Sequence, residues 1–375
     1  MTSKALRICI AIPSLSGGGA EFVAREWAAW LAQSGHTVSL AVTHPKDSDG
    51  TIPGVDVVHL TGSGLMAHTR SLREHLRLGK IDVVVSLLPY YNLMAILATR
   101  FAGNDIKVVI SGRNVEVPYP EVHGRKVRTT RILSKWLYPL CDAFVAISHP
   151  VAAEAGALYK IDPSKIVVVP NPAIAKIESE DAYDTNAAVS SRTADREHRA
   201  RLINIVLPGR LVDQKEPAIA LRVAEILQLE DHEVTVHYFG DGPLRSQILQ
   251  DAASSGVNAI VHGWIEDWYR HLPPCSVVLL PSRAEGFGNV LLEAAAVSVP
   301  AVVSSQALGS ADALVPGITG EFAPFRSAKS YADAVRSAAE IEIVGAGAWL
   351  KRFSRESSGS ALIAVLESVV RFESA

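Results

Sequence analysis

Short apolar runs alternate with longer amphipathic stretches along most of the chain. In the first half the runs include Ile8–Ile12, Thr37–Val42, Val55–Leu60, Asp82–Leu88, Lys107–Ser111 and Ala143–Ser148. Stretches such as Glu21–Gln33 and Asn92–Phe101 lie between them and read as helices. Strands that are apolar on both faces belong in a parallel sheet covered by helices on both sides. The repeated order strand, helix, strand predicts a doubly wound α/β domain.

The pattern breaks at 173–201, where Glu178–Arg199 is polar and poor in large apolar residues. Such a stretch reads as an exposed linker or insertion. The alternation then restarts with Asn204–Leu207, Val234–Phe239, Ala259–His262, Val277–Leu280 and Ala301–Ser304. The expected organisation is an α/β unit over 1–172, a linker over 173–201, a second α/β unit over 202–345 and a helical tail over 346–375. The tail could pack on either unit.

Composition adds little to this picture. A chain of 375 residues, 48% apolar and 20% charged, suits two ordinary globular domains. A formal charge of −3 gives no reason to expect nucleic-acid binding. The three cysteines, Cys9, Cys141 and Cys275, are far apart and odd in number, which argues against a disulfide framework and for a reducing compartment. The apolar run Arg7–Pro13 is too short for a signal-peptide core or a membrane span. The expected location is therefore cytoplasmic.

Three constellations carry candidate chemistry. Ser16-Gly17-Gly18-Gly19-Ala20-Glu21 follows the first strand and opens a helix. Glycines permit close backbone approach, and a helix start offers free N–H groups to an anion. A tight turn without a ligand is the plainer alternative. Pro208-Gly209-Arg210-Leu211-Val212-Asp213-Gln214-Lys215 follows the first strand of the second unit. Its two cations suit a diphosphate, Arg210 as a fork and Lys215 as a point charge. On charge alone, two solvated surface residues would explain them as well. The third runs from Pro281 through Glu285, Gly286, Phe287, Gly288, Asn289 and Val290 to Glu293 and Ala294. A strand ends, a glycine-containing loop follows, and a helix starts near Asn289, a good N-cap residue. That places Glu285 in the loop and Glu293 one turn into the helix, where both carboxylates could accept hydrogen bonds from one ligand. Carboxylates near a helix N-terminus are also what the dipole favours without any ligand.

The Glu285-x7-Glu293 pair in this setting resembles the signature of retaining GT-B glycosyltransferases of family 4, the glycosyl transferases group 1. Further motifs match in order: Gly18-Gly19-Ala20-Glu21, Val168-Val169-Pro170-Asn171, Gly209-Arg210 with Lys215, Phe239-Gly240-Asp241-Gly242-Pro243, His262-Gly263-Trp264 and Gly317-Ile318-Thr319-Gly320. The resemblance implies a GT-B fold, two Rossmann-like doubly wound domains facing a central cleft. It implies a hexose or N-acetylhexosamine moved from a nucleoside-diphosphate sugar, UDP favoured over GDP, to a glycan or lipid-linked acceptor in cell-envelope polysaccharide synthesis. No cofactor beyond the donor substrate is implied.

By the same resemblance, Arg210 and Lys215 would hold the diphosphate and stabilise the leaving nucleotide, with Glu285 on the sugar hydroxyls and Glu293 on the ribose. Gly286 and the N–H groups of Phe287, Gly288, Asn289 and Val290 would line the donor, Gly18 and Gly19 would approach its diphosphate, and His262 and Gly263 would lie near the base. With no convincing Asp-x-Asp metal motif, charge on the departing phosphate would fall to Arg210, Lys215 and helix N-termini.

The chain also departs from the family pattern. Ser111-Gly112-Arg113-Asn114 stands where many members carry a histidine; it resembles a Ser-Glu-Arg-Asn variant with Gly112 in place of Glu. His123 is a weak substitute for that histidine, and an exposed loop residue is its simpler reading. Leu308-Gly309-Ser310 replaces a Gly-Gly pair. Arg125–Tyr138 is basic with helical spacing. An ordinary surface helix would pack Ile132, Leu133 and Trp136 into the core; the alternative is peripheral contact with an anionic membrane at its inner face. Two competing functions remain, a non-hydrolysing sugar-nucleotide epimerase, whose acid/base carboxylates and histidines are not evident, and a non-catalytic nucleotide-sugar-binding module.

Overall fold

A computed structural model describes residues 5–46, 49–100, 105–115, 125–178 and 201–371. The chain divides into two compact units, Met1–Ala175 with Arg352–Ala375, and Lys176–Lys351. In the first unit the elements run β1 (Arg7–Ile12), α1 (Gly19–Gln33), β2 (Thr37–Val42), β3 (Val55–His59), α2 (Gly64–Leu78), β4 (Val83–Leu87), α3 (Pro89–Arg100), β5 (Lys107–Gly112), α4 (Arg125–Leu137), β6 (Ala143–Ala146), α5 (His149–Tyr159) and β7 (Ile166–Val168), followed by α6 (Ala175–Glu178) at the junction of the two units. All seven strands are parallel, in the order β3-β2-β1-β4-β5-β6-β7. This is the doubly wound arrangement, with the strand order reversing between β1 and β4.

The second unit repeats the scheme with β8 (Leu202–Pro208), α7 (Ile219–Leu229), β9 (Glu233–Phe239), α8 (Arg245–Ser255), β10 (Asn258–Val261), β11 (Ser276–Leu280), α9 (Asn289–Ala296), β12 (Ala301–Ser304), β13 (Gly320–Ala323), α10 (Ala328–Ala339) and α11 (Gly347–Leu350). Its parallel sheet runs β10-β9-β8-β11-β12-β13, reversing between β8 and β11. Every strand read from the sequence forms, within two residues at either end. The apolar pattern does not single out β7 and β13, which are short edge strands with half-exposed residues.

Each sheet builds its own core. In the first unit, Ile8, Ile10 and Ile12 of β1 pack with Val83, Val85 and Leu87 of β4 under the apolar stripe Val23, Ala24, Trp27, Ala28 and Leu31 of α1. The tail resolves in favour of this unit: α12 (Arg355–Arg371) buries Leu362, Val365 and Leu366 against the same core. Its small residues let it lie close, since a Cβ at Gly359 would stand 2.2 Å from Cδ1 of Trp30. The Nε1–H of Trp27 donates to Ser358 at 2.9 Å, and Arg355 pairs with Glu26 at 2.5 Å. Of the expected linker, Ala173, Ile174 and Ala175 are buried, while 179–200 lies outside the described residues.

Candidate functional site

Ligands of such sheets bind beyond the carboxyl ends of the strands, at the point where strand order reverses. In the second unit that point lies between the loops leaving β8 and β11. The β8 loop is a strap, Gly209–Glu216, zipped along both sides. On one side, the Gly209 N–H donates to the Phe239 carbonyl at 3.0 Å and the Leu211 N–H to the Asp241 carbonyl at 2.9 Å. The Phe239-Gly240-Asp241-Gly242 motif follows from this contact. A Cβ at Gly240 would lie 1.9 Å from the Gly209 oxygen, and one at Gly242 would lie 2.4 Å from the Leu211 oxygen.

On the other side, the Arg283 N–H donates to the Gln214 carbonyl at 2.9 Å, and the Gln214 side chain donates to the Ala284 carbonyl at 2.9 Å. These bonds bring Lys215 Nζ to 2.5 Å from Glu285 Oε1, with both side chains largely buried. Two candidate residues from sequence motifs 70 residues apart thus form one ion pair, a contact the sequence reading did not foresee. Next to it, Glu216 accepts from Arg283 at 2.5 Å and from Arg326 at 2.8 Å. Arg210 stands exposed on the strap.

The Glu285 loop is covered by the altered glycine segment. A Cβ at Gly309 would meet the carbonyl oxygens of Glu285 at 2.2 Å and Gly286 at 2.3 Å, so the glycine that persists is the one in backbone contact. The helix start differs from expectation: Gly288, at φ 88°, is the N-cap of α9 and Asn289 is the first helical residue. Glycine enters this left-handed conformation without a Cβ penalty, which explains why it, and not Asn289, takes the cap. Phe287 is buried and Val290 half-buried.

Glu293, in the buried face of α9, accepts a hydrogen bond at 2.7 Å from the Nε1–H of buried Trp268. Burial pushes its carboxyl pKa up; Lys176 and the Trp268 bond pull it down, and Glu266 adds to the rise. Trp268 leads to a ring stack: its centroid is 6.4 Å from Phe239, and Phe239 stacks on His262 at 4.3 Å and 8°. Behind them, Asn204 donates to the Pro274 carbonyl at 2.7 Å, which turns its Oδ1 toward His237 Nε2 at 3.1 Å. His237 therefore donates through Nε2 and accepts at Nδ1 from His262 Nε2–H at 3.0 Å. Burial and then His262 lower the His237 pKa to about 4, keeping it neutral. Gly263 follows with φ 80°. The Gly317–Gly320 motif, in contrast, is a packing turn: a Cβ at Gly320 would stand 1.9 Å from the Ala301 oxygen, and Thr319 Oγ1 accepts from the Val315 N–H at 2.8 Å.

The first unit places Gly18 at the N-cap of α1, where its N–H donates to the Glu21 carboxylate at 3.0 Å. Lys46 Nζ donates to the Ser16 carbonyl at 2.7 Å beside it. The departure at Gly112 has a steric cause, because a Cβ there would lie 2.5 Å from Cζ of Phe144 and 2.8 Å from Val151. Arg113 donates to Asn171 at 2.8 Å and lies 5.6 Å over Trp27, with Nε and Nη1 enclosed and without an acceptor among the described residues. Burial lowers its pKa to about 9, with Glu21 acting the other way. His123 lies outside the described residues.

Sequence reasoning missed a polar aromatic cluster beyond β2 and β4. Thr43 bonds His44 at 2.7 Å and also Tyr91, while His68 donates to the Gly62 carbonyl at 3.2 Å and accepts from Tyr90 at 2.8 Å. Leu88, at φ 80°, turns the chain into α3 at this point. No motif links residues so scattered; the one local signal is two tyrosines following a strand end. The α4 expectation is corrected. Ile132, Leu133 and Trp136 are exposed, Trp136 at 77%, and the helix buries Ser134 instead. Ser134 is small enough for α4 to approach α3 and α5, so the bulky residues are left facing out. Among the described residues, no group of three or more His, Cys, Asp or Glu is placed to hold a metal ion, and no helix is long and apolar enough to cross a membrane.

Known proteins resemble the chain in sequence and in fold. The model for Glycosyltransferase Family 4 matches residues 17–173, and that for Glycosyl transferases group 1 matches residues 203–340. A D-inositol 3-phosphate glycosyltransferase of Kribbella flavida is 28% identical over 214 residues, 53% of this chain and 48% of that protein. The chain spans about half or less of the length of the curated relatives it matches first. The lipopolysaccharide outer core galactosyltransferase WaaB aligns over 97% of this chain and 99% of its own, at 18% identity and TM-score 0.73. The Anabaena protein HepE, solved with UDP and glucose, aligns over 97% and 100% at 15% identity and TM-score 0.72. At these identities the structural likeness is one of fold. Two parallel Rossmann-like sheets of GT-B type, each unit matched by its own family model, identify the chain as a member of glycosyltransferase family 4, the glycosyl transferases group 1.

Proposed function

We propose that this glycosyltransferase moves a hexose or N-acetylhexosamine from a nucleoside-diphosphate sugar, UDP favoured over GDP, with retention at the anomeric carbon and without a metal. The observation that carries the reading is the Lys215–Glu285 pair at the strand-order switch, with Glu293 close by in α9. Arg210 and Lys215 hold the diphosphate. Glu285 takes hydroxyls of the donor sugar, Glu293 takes those of the ribose, and His262 and Gly263 lie at the base. The N–H groups of Gly286, Phe287, Gly288, Asn289 and Val290 line the donor, and Gly18 and Gly19 keep an anion-binding role.

The demanding event is loss of a nucleoside diphosphate from the anomeric carbon. Cations and oriented N–H groups aimed at the departing phosphate stabilise the charge that develops there. The acceptor hydroxyl attacks from the face the phosphate leaves, and its proton passes to a phosphate oxygen. No enzyme nucleophile is required. The preference for UDP draws support from the HepE structures, whose bound ligands include UDP and UDP-glucose.

Thermal-shift titration with a panel of UDP- and GDP-sugars in EDTA, followed by assay of donor hydrolysis, tests this directly. One donor should stabilise the chain by about 2.7 kcal/mol at a hundredfold its Kd and be slowly hydrolysed. Activity lost in EDTA and restored by Mn²⁺ would remove the metal-free mechanism. Isomerised sugar would indicate an epimerase, and binding without turnover a binding module.

The proposed acceptor is a glycan or lipid-linked saccharide of the cell envelope, met on the cytoplasmic face of the membrane. Its support is α4, where exposed Ile132, Leu133 and Trp136 lie among Arg131 and Lys135. Such a face can seat at an anionic lipid surface. Co-sedimentation should occur with vesicles containing anionic lipid, weaken in Trp136→Ser and fail with zwitterionic vesicles. Equal sedimentation in all three cases would rule the contact out.

A further inference from the structure

The end of the β8 strap is built unlike the rest of it. Glu216 adopts φ 47° and ψ 45°, the left-handed region that glycine occupies freely and a glutamate occupies under strain. Glycine would relieve that strain, so the carboxylate must supply something glycine lacks. It accepts from Arg283 Nε at 2.5 Å and from Arg326 Nη2 at 2.8 Å and Nε at 3.1 Å. Arg283 belongs to the β11 loop, two residues before Glu285, and Arg326 follows β13. One carboxylate thus ties the residue after Lys215 to the loop that carries Glu285 and to a third segment of the unit. Apart from the Lys215–Glu285 ion pair, the other ties described along the strap are neutral bonds made by Gly209, Leu211 and Gln214.

We propose that Glu216 is a positioning residue: held in a strained left-handed turn by Arg283 and Arg326, it fixes the Lys215 ammonium against Glu285. The placement matters because a lysine side chain has four rotatable carbons and no planar fork to orient it. Its position must come from the backbone beneath. Without the clamp, the single helical turn Asp213–Lys215 ends in a residue free to leave the left-handed region, and Lys215 swings with it. Glu216 itself touches no reacting atom in this scheme. Its catalytic consequence rests on the donor-binding reading given above, whereas the clamp itself does not.

Two variants separate the clamp from strain. Glu216→Gln keeps the length and the strained backbone but loses the charge; Glu216→Gly removes both charge and strain. The direct readout is Lys215 acetylation by acetic anhydride, followed by peptide mass spectrometry, which needs no donor. Both variants should raise the Lys215 labelling rate roughly fivefold, the change in population expected on losing one network of ion pairs. Glu216→Gly should do so with an unchanged or higher Tm, which sets positioning apart from plain structural support. With UDP-sugar as probe, turnover should fall roughly ten- to a hundredfold while the KM for the acceptor is unchanged. Lys215 labelling equal to wild type in both variants overturns the proposal. A labelling change with no turnover of any donor by the wild-type chain leaves the clamp in place and refutes the donor-binding reading instead.

Discussion

The two sheets share one strand order over six strands, the first adding β7 at its end, and finish it with different materials. At the carboxyl edge of the second, neighbouring loops meet backbone to backbone: Gly240 against Gly209, Gly242 against Leu211, Gly309 against Glu285 and Gly286. At the edge of the first, the loops meet through side chains: Gly112 beneath the Phe144 ring, Thr43 with Tyr91, His68 with Tyr90, Arg113 with Asn171. A backbone-built edge holds its few charged groups in one geometry and has no slack. A side-chain-built edge can be refitted by changing rotamers. The contrast suits the proposed division of labour, in which the second unit would grip an unvarying diphosphate and the first would be shaped to a particular acceptor.

Alanine at matched glycines is the most forceful way to break this comparison. Gly240→Ala places a methyl 1.9 Å from a carbonyl oxygen that two hydrogen-bonded loops hold in place. The strap must then separate from the β9 loop, at a cost above about 4 kcal/mol. Gly112→Ala collides with the Phe144 ring and Val151, which can shift, at about 1–3 kcal/mol. Urea unfolding of both variants measures the difference. Equal losses would mean that the two edges are equally rigid.

The sequence discloses these edges unequally, for the same reason. Contacts that forbid a Cβ leave glycines at fixed spacing. Gly240 and Gly242 lie under such contacts and are read in the sequence through the family resemblance, while the carboxylates Glu285 and Glu293 are placed by their strand–loop–helix setting. The partner of Glu293 is not legible there, because Trp268 reaches it from a short turn with no motif of its own. Nor is the role of Glu216, whose left-handed backbone carries no signature in a glutamate. In the first unit, continuous apolar runs reveal the strands, but His44, His68, Tyr90 and Tyr91 converge only after folding. The spacing of α4 predicts a helix correctly and its buried face wrongly, since a small residue, Ser134, sets the contact.

The smallest expected effect asks whether the rigid edge gives up stability to keep Glu293 in its buried place. Glu293 is enclosed, and burial raises its pKa above the value of about 4.3 that an unfolded glutamate has. For a group shifted in this direction, the favourable contribution is complete below the unfolded pKa. It is lost as pH rises through the folded value, because the buried carboxylate must then carry charge. Glu293→Gln keeps the shape and still offers an oxygen to the Trp268 N–H, but it never ionises. The variant should therefore melt above the wild type at pH 7–8, by about 1 kcal/mol or roughly 2–4 °C. The gap should close toward pH 4, while donor affinity falls at every pH. A variant that instead melts lower at pH 7 would show that Lys176 and Trp268 more than offset the burial. The second unit's edge would then be stabilised by Glu293, and the first unit's edge, with Arg113 enclosed beside one neutral acceptor, would be the strained one of the two.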